Sequence, residues 1–182
     1  MKPCVITVLM LAAPFVQPAD ATQPSESSRA RATARLRPAT ETVRAMVADA
    51  IERSATVRAL AHEIAASDLI VYVEMGRPAP PAIATTALVT ATPRARYVRI
   101  TLDAMTAPNG LIPLLAHELQ HAVEIARNPD VRNSDDMRRL YARIGVDTRE
   151  KMSFETTAAL AAERRARAEG IAARNGRRPS MR

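Results

Sequence analysis

His117, Glu118 and His121 stand in the order H-E-x-x-H inside the run LLAHELQHAVEIAR, Leu114 to Arg127. On a helix, residues four apart share a face and each step rises about 1.5 Å, so both imidazoles can close on one metal ion from adjacent turns. Glu118 sits roughly 100° round from His117. It borders the ion without ligating it, which is where a general base for a metal-activated water belongs. The stretch is helical by its own pattern: Leu111, Leu114, Leu115, Ala122, Ile125 and Ala126 fall near the helical period, and Asn128-Pro129 ends the run. Asn109 is expected as its N-cap, with the helix beginning near Gly110 and Pro113 in the first turn, where a missing amide proton costs little.

Two histidines leave a catalytic zinc one protein ligand short. Glu124 lies two turns beyond His117 and about 20° from it around the helix, so it is on the correct face. It is also roughly 7.5 Å along the axis from an ion held between the histidines, a distance that favours a hydrogen bond to His121 over ligation. Glu155 is the other candidate and the preferred one. It opens the last predicted helix, where a returning segment can present its carboxylate to the ion. His62-Glu63 begins a similar pattern earlier, but Ala66 stands where the second histidine would be needed. Tyr141, an aromatic on an apolar helical face, is read as core, or else as an oxyanion donor or a hydrogen-bond partner behind the metal ligands. Arg96, Tyr97 and Arg99 are expected beside an edge strand, either lining a cleft or simply solvated.

With His117, Glu118, His121 and Glu155 in these places, the chain resembles the zincin metallopeptidases, and among them the gluzincin type. The resemblance implies that His117, His121 and Glu155 hold Zn2+, that Glu118 is the general base, and that the substrate is a peptide or protein. Metzincins are excluded, because Glu124-Ile125-Ala126-Arg127 follows the motif where that group has a glycine and a third histidine. The alternative function is a non-catalytic exported binding module with a vestigial or structural metal site.

The elements that position these residues belong to a chain of 182 residues, which suits one domain with a real core. Residues 1–21 read as a secretory signal: Lys2 is the positive end, Cys4 to Val16 the apolar stretch, and Ala19-Asp20-Ala21 a small-x-small cleavage site. Export to a periplasm or the exterior follows, with no transmembrane span once the signal is removed. Cys4, the single cysteine, leaves with it, so any zinc site must use nitrogen and oxygen ligands. The net charge of +7 comes almost wholly from arginine, spread along the chain. With two phenylalanines, three tyrosines and no tryptophan, stacking platforms are scarce, so no nucleic-acid partner is expected.

Residues 22–39 are expected to be a disordered linker, residues 40–176 the zincin-like domain, and residues 177–182 a flexible basic tail. Within the domain, Val43 to Ile64 reads as one long helix or two joined at Ser54. Leu69 to Val73, Ala84 to Thr92 and Tyr97 to Leu102 read as strands. A helix capped by Ser134 or Asp135 should end at Gly145, and a last one should run from Ser153, its N-cap, to about Ala173. The fold class predicted is α+β, with helices packed on a small three-stranded, mostly antiparallel sheet around a central H-E-x-x-H helix.

Overall fold

The computed structural model describes residues 27, 30, 33–146 and 155–176. The predicted signal, half of the predicted linker, Ser153 and the predicted tail therefore lie outside the described residues. Two helices follow one another end to end near the start of the fold. Helix α1 (Glu41–Arg53) starts at Thr40, whose hydroxyl accepts from the Val43 N–H. Ser54 closes α1 through its own N–H to the Ala50 carbonyl and opens α2 (Ala55–Ala65) by accepting from the Val57 N–H. One residue thus satisfies orphan groups of both helix ends, which is why the apolar pattern breaks there. Val43, Val47, Ala50 and Ile51 on α1, with Val57, Leu60, Ala61 and Ile64 on α2, form buried stripes at helical spacing.

The sheet has four strands: β1 (Leu36–Pro38), β2 (Leu69–Gly76), β3 (Ala84–Ala91) and β4 (Arg96–Asp103). Their order is β1-β2-β4-β3. The β1 and β4 ladders on β2 are parallel, and only β3 with β4 is antiparallel. The α+β class holds, but the sheet is mixed, not a mostly antiparallel trio. Two physical facts account for the difference. Leu36–Pro38 is a three-residue edge strand carrying a proline, a composition that reads as linker and is tolerated only where no neighbour needs the missing N–H. In addition, β2 and β4 each bury alternate residues, Leu69, Val71 and Val73 against Val98, Ile100 and Leu102. That alternation marks a sheet covered on one face, which is more often antiparallel.

Helix α3 (Pro108–Ala126) lies across the covered face and contacts β2, β3 and β4 on one side and α2 and α5 on the other. Every residue from Pro113 to Ile125 is buried. A helix enclosed on all sides is apolar nearly all round, so the polar residues it keeps stand out. It begins earlier than expected: Pro108 occupies the first turn, Ala107 stands at the cap without a side-chain bond, and Asn109 is inside the helix. Pro113 accordingly falls in the second turn, where it gives up a main-chain bond.

Arg96 fixes the other end of α3. Its guanidinium is fully buried, grips both oxygens of Asp68 at 2.9 and 2.7 Å, and donates to the carbonyls of Ile125 and Asn128, each at 2.8 Å, and of Val131 at 3.2 Å. A cation from the sheet therefore satisfies the orphan carbonyls of the helix C-terminus and complements its dipole. The expectation that Arg96 lines a cleft beside an edge strand is corrected: β4 is interior, because β3 returns as a hairpin on its outer side. Arg99 and Tyr97 alternate onto the opposite face of the sheet, where Arg99 is exposed.

Helix α4 (Ser134–Ile144) is capped by Asn133, whose side-chain oxygen accepts from the N–H groups of Asp135 and Asp136, so the cap lies one residue before the expected Ser134. Gly145 ends it. Helix α5 (Thr157–Gly176) packs along α3, and Thr156 caps it by accepting from the Ala159 N–H at 3.0 Å. Among the described residues no helix is long and apolar enough to cross a membrane.

Candidate metal centre

Because His117 and His121 are one turn apart on α3, their rings meet edge to face, with centroids 4.9 Å apart at 71°. The two Nε2 atoms approach to 3.1 Å. Glu155 stands just ahead of α5, two residues from its first turn, and the packing of α5 along α3 brings its Oε2 to 3.3 Å from His117 Nε2. One donor atom from each of the three residues lies within 4.8 Å of the others. Two nitrogens bonded at about 2.0–2.1 Å to a tetrahedral zinc would themselves be about 3.3 Å apart, so this spacing suits one small divalent ion. The set is nitrogen and oxygen only, as a cysteine-poor chain requires.

The groups behind these three donors orient them. His121 Nδ1 lies 2.9 Å from Glu124 Oε2, and the Thr156 hydroxyl donates to Glu124 Oε1 at 2.6 Å. When Nδ1–H donates to that carboxylate, the lone pair sits on Nε2, the tautomer a metal ligand needs. Glu124 is thus a hydrogen-bond partner of His121, the role its position along the helix favours over ligation. Burial works against its ionisation, but the bonds from His121 and Thr156 outweigh burial and hold its carboxyl below the usual range. For His121 burial favours the neutral ring, yet the Glu124 bond and the surrounding carboxylates carry the balance and raise its pKa. Tyr141 is buried core that also donates to the His121 carbonyl at 3.3 Å and stacks edge to face on its ring. Burial first, then the Glu124 charge, push its phenol well above the normal value. It cannot readily ionise there.

Glu118 does not belong to the convergent trio but lies beside it, 5% exposed. Burial raises its pKa, opposed by the two histidines and by the Thr86 hydroxyl, which donates to Oε2 at 2.7 Å. Residues Thr86 and Glu163 carry no signal that the motif reading picks up. Glu163 Oε2 lies 3.4 Å from His117 Nδ1, and its other oxygen pairs with Arg167 at 2.7 Å. The one hint for Glu163 is an acid set between Ala159, Ala162 and Ala166, the buried stripe of α5. Thr86 is one of several threonines on β3, and only the tertiary packing selects it. His62, the remaining histidine, is on α2 and outside the trio. No family model, curated protein or solved structure matches the chain.

Proposed function

We propose that the protein is a zincin-like, zinc-dependent peptidase in which His117, His121 and Glu155 hold the metal and Glu118 is the general base. The observation that carries this reading is the meeting of two histidine nitrogens and a carboxylate oxygen within 4.8 Å, beside a buried carboxylate that is not one of them. The chemistry a zinc ion supplies in such a set is Lewis acidity, which acidifies water and polarises a carbonyl. The remaining work falls to the chain. Glu118 takes the proton from the attacking water and hands it to the departing amine. Its burial favours this, because a carboxyl with a raised pKa is a stronger base once ionised. Glu124 and Thr156 keep His121 in the ligating tautomer, and Glu163 faces the far nitrogen of His117.

Strand β3 supports a peptide substrate over a small one. It is the edge strand next to α3, and its outer side pairs with no described strand. The Asp103 N–H bonds the Ile83 carbonyl at 2.9 Å, so by alternation Thr85 and Ala87 also bond to β4, while Ala84 and Thr86 turn their main-chain groups outward. An extended peptide added there by main-chain hydrogen bonds would pair beside Thr86, whose hydroxyl touches Glu118. The test is a zinc-loaded wild type and a Glu118→Gln variant incubated with a broad peptide library. Cleavage by the wild type, with loss of turnover and retention of zinc in the variant, supports the enzyme. Zinc binding with no cleavage by either supports a non-catalytic metal module instead.

A further inference from the structure

Thr86 occupies a position that the hydrolytic scheme does not by itself require. Its hydroxyl lies 2.7 Å from Glu118 Oε2 and 3.2 Å from the Glu118 main-chain carbonyl oxygen. One O–H carries one proton, so these two acceptors compete for it. Hydroxyl rotation is fast and small, and either position leaves the hydroxyl bonded. The same residue turns its N–H and C=O toward the open edge of β3, because it falls in a pair that is not hydrogen-bonded to β4. Its side chain and its main chain therefore address the two things a strand-binding hydrolase has to bring together.

We propose that Thr86 is a positioning residue for Glu118, a latch whose hydroxyl holds the Glu118 carboxylate at a fixed angle beside the strand edge where an extended ligand would pair. The proposal rests on the peptidase reading for its consequence but on this geometry for its existence. Without a ligand the hydroxyl holds Oε2 and fixes the carboxylate against the strand. A peptide paired with the Thr86 main chain would then meet a carboxylate already aimed, with Oε1, the oxygen the hydroxyl does not touch, to accept a proton from water. Glu118 is buried, so bulk water is not available to take the place of the hydroxyl. Valine at this position would keep the shape and remove the donor.

The experiment uses the full zinc-loaded chain with glutamate labelled at the carboxyl carbon, and Glu118→Gln assigns the Glu118 resonance. Wild type, Thr86→Val and Thr86→Ser are compared by carboxyl NMR, by zinc affinity and by hydrolysis of a cleaved library peptide. The latch predicts that Thr86→Val moves the Glu118 resonance and lowers kcat about tenfold, the equivalent of one lost hydrogen bond. KM and zinc affinity stay as in the wild type, and Thr86→Ser restores both signals. Should Thr86→Val fail to take up zinc, Thr86→Ala carries the same comparison. An unmoved resonance in the variants that lack the hydroxyl overturns the proposal, as does a Thr86→Ser protein that behaves like Thr86→Val. A wild type that cleaves nothing while the resonance still moves and is restored refutes the peptidase reading and leaves the latch standing.

Discussion

Replacing Arg96 by methionine tests what holds helix α3 in place. Methionine fills most of the volume, so the change removes donors more than it opens a cavity. It takes the guanidinium from the Ile125, Ala126, Asn128 and Val131 carbonyls and from both Asp68 oxygens, while Ile125 and Asn128 keep main-chain donors, the N–H groups of Asn128 at 3.1 Å and of Val131 at 3.0 Å. Each buried acceptor left unmet costs about 1–3 kcal/mol, and losing one member of a buried ion pair about 3–5 kcal/mol. The Asp68 side chain is 39% exposed, so solvent screens its share to below about 1 kcal/mol. The carbonyls dominate, and partial rehydration of the helix end brings the expected loss to about 3–5 kcal/mol. Urea unfolding of wild type, Arg96→Met and Asp68→Asn measures it, read as a shift in midpoint at constant slope. The structure requires the arginine variant to lose several times more than the aspartate variant. Equal losses, or a loss under about 1 kcal/mol for Arg96→Met, would show that the clamp on α3 does not exist.

Three further outcomes follow from the same contacts. Glu124→Leu removes the acceptor that fixes the His121 tautomer and should weaken zinc affinity about 10–100-fold, measured by chelator competition. At saturating zinc, that variant should recover hydrolysis. The hydrogen bond from Arg96, ahead of the opposing effect of burial, holds the Asp68 carboxyl below its ordinary value of 3.8. Its contribution to stability is then complete above that pH and drains away as the pH falls through the lowered value, and Asp68→Asn should remove this acid-side slope from the unfolding profile.

Local rules made much of the fold readable. Ser54 sits between two apolar stripes because it is both a C-cap and an N-cap, and Gly145 marks the end of α4 by its type. Strand order is different in kind. Nothing in Leu69 to Gly76 or Arg96 to Asp103 says that they lie side by side and run the same way, since their pairing depends on β3 folding back outside them. The three-residue β1 is too short and too proline-marked for any periodic signal. Arg96 illustrates the same limit at the level of one side chain: an arginine is ordinarily solvated, and only the end of α3 and Asp68, brought together by packing, give it a buried place.

The candidate site divides along the same line. His117 and His121 are placed by one helix, so their spacing alone brings their rings together, and Glu124 is tied to His121 by the same turn. Glu155 needs α5 to return along α3, which a sequence can suggest but not measure. Thr86 and Glu163 arrive from β3 and α5 with no motif to mark them. They become visible only as the neighbours of Glu118 and His117.

The most direct measurement is the zinc content and X-ray absorption spectrum of the purified chain beside His121→Ala and Glu155→Gln. One zinc per chain, bound through two imidazole nitrogens and carboxylate oxygen at about 2.0–2.1 Å without sulfur, and lost or sharply weakened in both variants, is the predicted result. A chain that takes up no zinc, or takes up as much with His121 replaced as with it present, would contradict the account.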